Sequence, residues 1–156
     1  MEIYYKTDIL LKKLEKLRLK GFNLGFVPTM GALHQGHLSL IKRATRENDL
    51  CISSLFVNPT QFNESNDFKN YPRTLTNDHK LLEENGCKIL FQPSEKEMYS
   101  PKPTIGFTFG YLETIMEGKF RSGHFSGVAL ILSKLFNLIR PNKAYFGQKD
   151  LQQFAI

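Results

Sequence analysis

Cysteine is scarce in this sequence: Cys51 and Cys87 are the only two in 156 residues. Both lie in apolar, strand-like runs without C-x-x-C spacing. They read as small core residues of a reducing compartment, not as a redox pair or a nucleophile. No apolar run is long enough to span a bilayer, and the N-terminus lacks the apolar core and cleavage pattern of a secretion signal. A cytoplasmic chain with no membrane partner is expected. Internal repeats, low-complexity tracts and linkers are missing too, and the length suits a single domain whose 41% hydrophobic residues, 13 of its residues Phe, can fill one core.

Acidic residues are outnumbered, 15 against 21 basic ones, for a formal charge of +6. An anionic partner is implied, either nucleic acid or a smaller phosphorylated ligand. Much of the excess is Lys6, Lys12, Lys13, Lys16, Arg18 and Lys20, on the polar side of the first predicted helix, where solvated lysines are ordinary. Helix-turn-helix, ribonucleoprotein and zinc-finger patterns are all missing, so nucleic acid is not the expected partner.

Periodicity sets the elements. Thr7 or Asp8 can cap a helix with Ile9, Leu10, Leu14 and Leu17 on one face, ended by Gly21. A strand is expected from about Asn23 to Val27, then a helix carrying Leu38, Ile41 and Ala44 to about Asn48, then a buried strand from Leu50 to Val57. Residues 58–73 read as a long loop marked by Pro59, Asn63, Ser65, Asn66 and Pro72. A helix from about Leu75 to Glu84 stops at Asn85-Gly86, and Lys88 to Phe91 supplies a strand. Thr104 to Phe109 is β-branched and aromatic enough for an edge strand or hairpin arm. Phe125 to Ile139 is the most apolar helix, with Val128, Leu132, Leu135, Phe136 and Ile139 on one side, and Lys143 to Phe146 is a last short strand. This alternation predicts an α/β fold, a doubly wound and mainly parallel sheet, with ligand-binding loops at 28–37, 58–73 and 147–150 beyond the carboxyl ends of strands.

The first of these loops holds His34-Gln35-Gly36-His37 at the start of a helix. Gly36 allows a tight turn, and the helix N-terminus offers unpaired N–H groups and partial positive charge to phosphate oxygens. Two histidines three residues apart can point the same way and donate to those oxygens. Unrelated histidines on a capping turn, or a metal pair, are the alternatives. No Cys, Asp or Glu lies close by in sequence as a third metal ligand.

Five segments extend this pattern: Val27-Pro-Thr-Met-Gly-Ala-Leu-His-Gln-Gly-His37, Phe56-Val-Asn-Pro-Thr-Gln-Phe62, Tyr71-Pro-Arg-Thr74, Gly123-His-Phe-Ser-Gly-Val128 and Phe146-Gly-Gln-Lys-Asp150. Together and in this order they resemble the bacterial pantothenate synthetase family, from the first helix to the last residue. The resemblance implies the Rossmann-like fold of the HxGH nucleotidyltransferase superfamily. It implies ATP-dependent condensation of pantoate with β-alanine through a pantoyl-adenylate, with release of AMP and pyrophosphate. ATP with Mg²⁺, pantoate and β-alanine become the expected ligands, and a homodimer the expected assembly. By the same resemblance, His34, His37 and Lys149 act on the phosphates, and Met30, Gly36, Gly147 and Asp150 complete the ATP site. Gln61 and Gln153 hold pantoate against Met30, where an amide can both donate and accept. Asn58 and Tyr71 are further candidates from the long loop, whereas Arg73 could be structural. Glu117, Arg121 and His124 fit salt-bridging or helix-capping roles as well as ligand contact and receive no catalytic assignment. Gln148 stands where the family has Glu. No metal ligand is assigned.

The sequence stops at Leu151-Gln-Gln-Phe-Ala-Ile156, as an amphipathic helix begins. The family implies further elements, including a Ser-Arg loop over the ATP phosphates and a C-terminal domain. The expectation is a nucleotide- and pantoate-binding domain over residues 1–156, truncated, and poorly active alone. Two other readings are another HxGH adenylyltransferase and an inactive fragment that keeps only dimerisation or partial ligand binding. The first would call for basic residues in the loop that carries Asn58, Gln61 and Asn63.

Overall fold

In the computed structural model, which describes residues 1–156 except the side chain of Ser65, strand residues alternate between two cores. Leu24 and Phe26 of β2 (Leu24–Thr29), Ile52 of β3 (Leu50–Leu55) and Ile89 and Phe91 of β4 (Ile89–Phe91) face one way. There they join Leu10 and Leu14 of α1 (Thr7–Leu19) and Ile131, Leu135 and Ile139 of a long helix near the C-terminus. Val27, Cys51, Leu55 and Leu90 face the other way, onto Ile41 and Ala44 of α2 (Gln35–Glu47) and onto Leu82. A sheet buried on both faces requires such continuous apolar strands.

The remaining elements complete the chain. Strand β1 (Glu2–Tyr4) precedes α1, and β5 (Lys143–Ala144) lies near the end. After β3 come a 3-10 turn, Pro59–Gln61, then α3 (Ser65–Asn70) and α4 (Leu75–Glu84), the helix that carries Leu82. Helices α5 (Glu95–Tyr99), α6 (Met116–Phe120), α7 (His124–Ile139) and α8 (Leu151–Ala155) follow, with a 3-10 turn at Gly110–Glu113 before α6 and another at Gln148–Asp150 before α8. All four strand pairings are parallel, in the order β1-β4-β3-β2-β5.

That order places the site. The chain steps from β2 to β3 to β4 in one direction, then crosses back to lay β5 on the free side of β2. The sheet therefore reverses its winding between β2 and β5, and a crevice opens there beyond the carboxyl ends of the two strands. The loop after β2 carries the histidines, and the loop after β5 carries Lys149 and Asp150.

Several expectations need correction. Strand β1 was not expected; it is three residues long and is specified by pairing Glu2, Ile3 and Tyr4 with Ile89, Leu90 and Phe91. Strand β2 continues through Pro28 to Thr29, two residues beyond its expected end, and the Thr29 hydroxyl donates to Ser54 O at 2.8 Å. Residues 104–109 join no strand of the sheet. Instead the Phe107 N–H donates to Ser126 Oγ on α7, and the Phe107 and Phe109 rings stack 6.3 Å apart. Neither Thr7 nor Asp8 caps α1: the Glu97 carboxylate accepts from the Thr7 N–H and hydroxyl, and Lys6 takes the cap position without a side-chain bond. Ile9 is exposed and Ile131, not Leu132, is a buried position of α7. Short helices α3 and α5 interrupt stretches read as loop or left unassigned.

One glycine explains how the 58–61 segment reaches the crevice. Gly127 sits inside α7, where glycine costs about 1 kcal/mol relative to alanine. A Cβ there would lie 2.1 Å from Thr60 O and 2.6 Å from Gln61 N, so the helix admits the Pro59–Gln61 turn directly against its backbone. Gly127→Ala is expected to destabilise the fold by about 2 kcal/mol, against its gain in helix propensity, because backbone must move. Urea unfolding of the two proteins checks the sign.

Candidate active site

Past Thr29 the chain turns through Gly31 at φ +90° and Ala32 at φ +51°. Left-handed backbone is open to glycine and costly for alanine. The turn is held from α4, where the Asp78 carboxylate accepts from the N–H groups of Ala32 at 3.1 Å and Leu33 at 2.9 Å. His34 follows in extended backbone as the cap residue of α2.

Two imidazoles close the start of that helix. His34 Nδ1 accepts from the Gly36 N–H at 3.1 Å, and His37 Nδ1 accepts from the His34 N–H at 3.4 Å. This is a capping box built from histidines, with ring centroids 4.2 Å apart. A neutral ring that accepts at Nδ1 carries its proton on Nε2, so the geometry assigns both rings the Nε2–H form. Of the amides at this terminus, those of Gly36 and His34 are satisfied by the rings, and each ring keeps an Nε2–H to donate. Gly36 is needed for the turn, because a Cβ there would meet His34 Cε1 at 2.9 Å.

His37 is half-buried. Its pKa is lowered below the ordinary 6.5, first by burial and then by the charges of His34 and Lys149, while Asp150 and Asp78 oppose the shift. The loop after β5 thus places Lys149 and Asp150 within electrostatic reach of the imidazole pair. Lys149 Nζ bonds Asp150 Oδ1 at 2.8 Å and is otherwise open to solvent, and Gly147 accepts from the Asp150 N–H to close the 3-10 turn. Gln148 is exposed.

On the other side, Gln61 is buried with its amide fixed. Its Oε1 accepts from Asn58 Nδ2 at 3.1 Å and its Nε2 lies 3.0 Å from Met30 Sδ, which joins the two expected pantoate contacts in one wall. Asn58 is buried beneath it. Its Oδ1 receives the Thr60 N–H and hydroxyl and the Tyr99 hydroxyl, and its Nδ2 also donates to Gly127 O. Both ends of the Asn58 amide are therefore engaged within the protein, and its place is that of a support under Gln61. His124 supports the same turn, with Nδ1 2.9 Å from Gln61 O and Nε2 3.2 Å from Arg121 Nη1. Arg121 also pairs with Glu117 at 3.5 Å.

Tyr71 is half-buried with its ring 5.8 Å from Phe62, and burial raises its phenol pKa. Arg73 donates to the carbonyls of Phe68, Lys69 and Tyr71, a structural role. Gln153 is half-buried on α8, next to Gln152, whose amide is fully committed: it accepts from the Glu117 N–H and donates to Leu112 O and Ile115 O. Gln152 is the anchor of α8, a role not foreseen from the sequence. Asp78 was also missed, although a carboxylate one helical turn before core-facing Leu82 is a visible anomaly in an amphipathic pattern. Among the described residues no three His, Cys, Asp or Glu side chains converge as a metal site.

Protonating His37 would put a proton on Nδ1, opposite the His34 N–H. Burial, the largest cause, also lowers the pKa of His124. The unfolded chain therefore binds more protons than the folded one below about pH 6.5, so stability is complete above that value and declines as pH falls. The thermal midpoint is expected to drop between about pH 7 and pH 5, and His37→Asn to flatten the drop. Scanning calorimetry across that range checks both.

The sequence and the fold both match known proteins. A sequence profile described as Pantoate-beta-alanine ligase matches residues 2–156. The pantothenate synthetase of Phocaeicola vulgatus is 54% identical over 156 residues, covering 100% of this chain and 55% of its own length. That of Bacteroides thetaiotaomicron is 51% identical with the same coverage. A crystal structure of pantoate-beta-alanine ligase from Francisella tularensis, complexed with beta-gamma ATP and beta-alanine, superposes with a TM-score of 0.95 at 44% identity, over 99% of this chain and 59% of that one. Pantothenate synthetase from Thermus thermophilus gives 0.90 at 44% identity, over 98% of this chain and 54% of that one. The chain thus spans about half the length of the relatives it matches. The Rossmann-like parallel sheet is common to them, and the chain belongs to the pantoate–β-alanine ligase family.

Proposed function

We propose that this chain forms the nucleotide- and pantoate-binding domain of an ATP-dependent ligase that joins pantoate to β-alanine. In the first step a pantoate carboxylate oxygen attacks the α-phosphorus of ATP, a P–O bond forms, and pyrophosphate leaves. In the second, the uncharged β-alanine amine attacks the acyl carbon of the pantoyl-adenylate, AMP leaves, and the amine nitrogen gives up a proton. Neither step uses a protein nucleophile. Both depend on position and on neutralising charge as it spreads over phosphate oxygens.

The observation that carries this reading is the pair of imidazoles held through Nδ1 at the start of α2, each left with Nε2–H to donate, within electrostatic reach of Lys149. His34 and His37 are assigned donation to the phosphate oxygens, and Lys149 a positive charge beside them. Gly36 and Gly147 allow close backbone approach, and Asp150 is placed in the nucleotide pocket, with the ribose its natural contact. Met30 supplies an apolar wall for the dimethyl carbon of pantoate. Gln61 and Gln153 hold its oxygens, Asn58 acts by fixing Gln61, and Tyr71 flanks the pocket. Mg²⁺ enters as part of the nucleotide substrate, held chiefly by phosphate oxygens and water, which is how this ion commonly binds. A homodimer and a reducing, cytoplasmic setting belong to the same proposal. The free, buried Cys51 and Cys87 favour the latter, and no helix among the described residues is long and apolar enough to cross a membrane.

Pyrophosphate release with ATP, Mg²⁺ and pantoate, with and without β-alanine, tests the assignment on the protein that carries this chain. Pantoate-dependent release is expected, and its absence would reject the reading. Lys149→Ala is expected to slow release by roughly 10²-fold or more, as when a donor to a developing oxyanion is removed.

A further inference from the structure

We propose that Asp78 is a positioning residue that sets where α2 begins and so where both imidazoles stand. Its side chain is fully buried, and among the described residues no cation pairs with it. Such a carboxylate is costly unless donors surround it. Three do: the Leu33 N–H on Oδ1, and the Ala32 N–H and Thr74 hydroxyl on Oδ2, the hydroxyl at 3.1 Å. The first turn of α4, where Asp78 sits, also favours negative charge.

The loop it holds is one that would not hold itself. Gly31 and Ala32 are successive left-handed residues, and such backbone persists only where its surroundings over-determine it. Gly31 packs so closely that a Cβ would lie 3.1 Å from Asp78 Oδ2. Leu33 is buried in the α2 side of the core, and the next residue is His34. The His34 N–H to His37 Nδ1 contact is already long at 3.4 Å, so a small displacement of the turn breaks it and frees the second ring. With both oxygens engaged and its side chain buried, at the wall of the cavity that Met30 and Arg73 also line, Asp78 acts through the loop.

Asp78→Asn keeps the shape and replaces one acceptor by an N–H₂ group facing a backbone donor. Amide exchange at Ala32 and Leu33 is expected to quicken by about 10-fold or more, while Ile52 and Leu90 in the sheet keep their protection. Ring ¹⁵N spectra of His34 and His37 should change from one tautomer to a mixture. In the activity assay, which rests on the function proposed above, kcat should fall about 10- to 100-fold with the KM for pantoate changed less than about threefold. A folded Asp78→Asn protein with unchanged protection at Ala32 and Leu33 and unchanged tautomers overturns the proposal. Should that variant not fold, Thr74→Val removes only the hydroxyl donor and is expected to speed the same two amides about two- to threefold; no change there also overturns it. Intact exchange and tautomer effects in a protein that releases no pyrophosphate would place the error in the function and not in Asp78.

Discussion

Helix α2 starts with imidazoles where most helices have a hydroxyl or a carboxylate, and the chemistry of the site depends on that substitution. A serine or aspartate cap satisfies an amide and contributes little beyond it. An imidazole cap accepts with one nitrogen and leaves the other nitrogen's proton facing outward. The backbone therefore selects the tautomer of each ring, and two directional donors stand at a site that also feels Lys149 and Asp150. Burial keeps His37 neutral near pH 7, so it donates without bringing a full charge of its own.

The sheet gives those donors something to work against. Reversal of the winding between β2 and β5 brings loops far apart in sequence to one crevice, and the packing of Pro59–Gln61 onto bare helix backbone at Gly127 brings in a third. The three come from different crossovers, so no local segment specifies the site. It exists only once β5 has paired with β2 and α7 has seated against the turn after β3.

Legibility in the sequence follows from this. Elements with a full apolar stripe, such as α2 with Leu38, Ile41 and Ala44, were readable to within a residue or two because burial on one face needs that spacing. Strand β1 was not, since three residues carry no period and its partner lies in β4. Thr104–Phe109 had the composition of a strand, but no strand edge takes it up, and its aromatics stack on each other instead. The histidines and Lys149 stood out because they lie in contiguous motifs. Supports were not: Asn58 under Gln61, His124 on Gln61 O, Gln152 under α8 and Glu97 capping α1 each join segments that only the fold brings together.

An amide side chain is ambivalent, able to answer either a donor or an acceptor. Asn58 reduces that ambivalence in Gln61 by engaging one lone pair of its oxygen, and Met30 sulfur is only a weak acceptor for the nitrogen. Gln61 is thus biased toward donating, which suits a ligand atom that carries a lone pair. A compound of the same size with an ammonium at that point is less well matched than one with an oxygen there. Under the proposed function, a preference for an oxygen-rich acid would then rest in part on a residue beneath the pocket, which no ligand needs to touch.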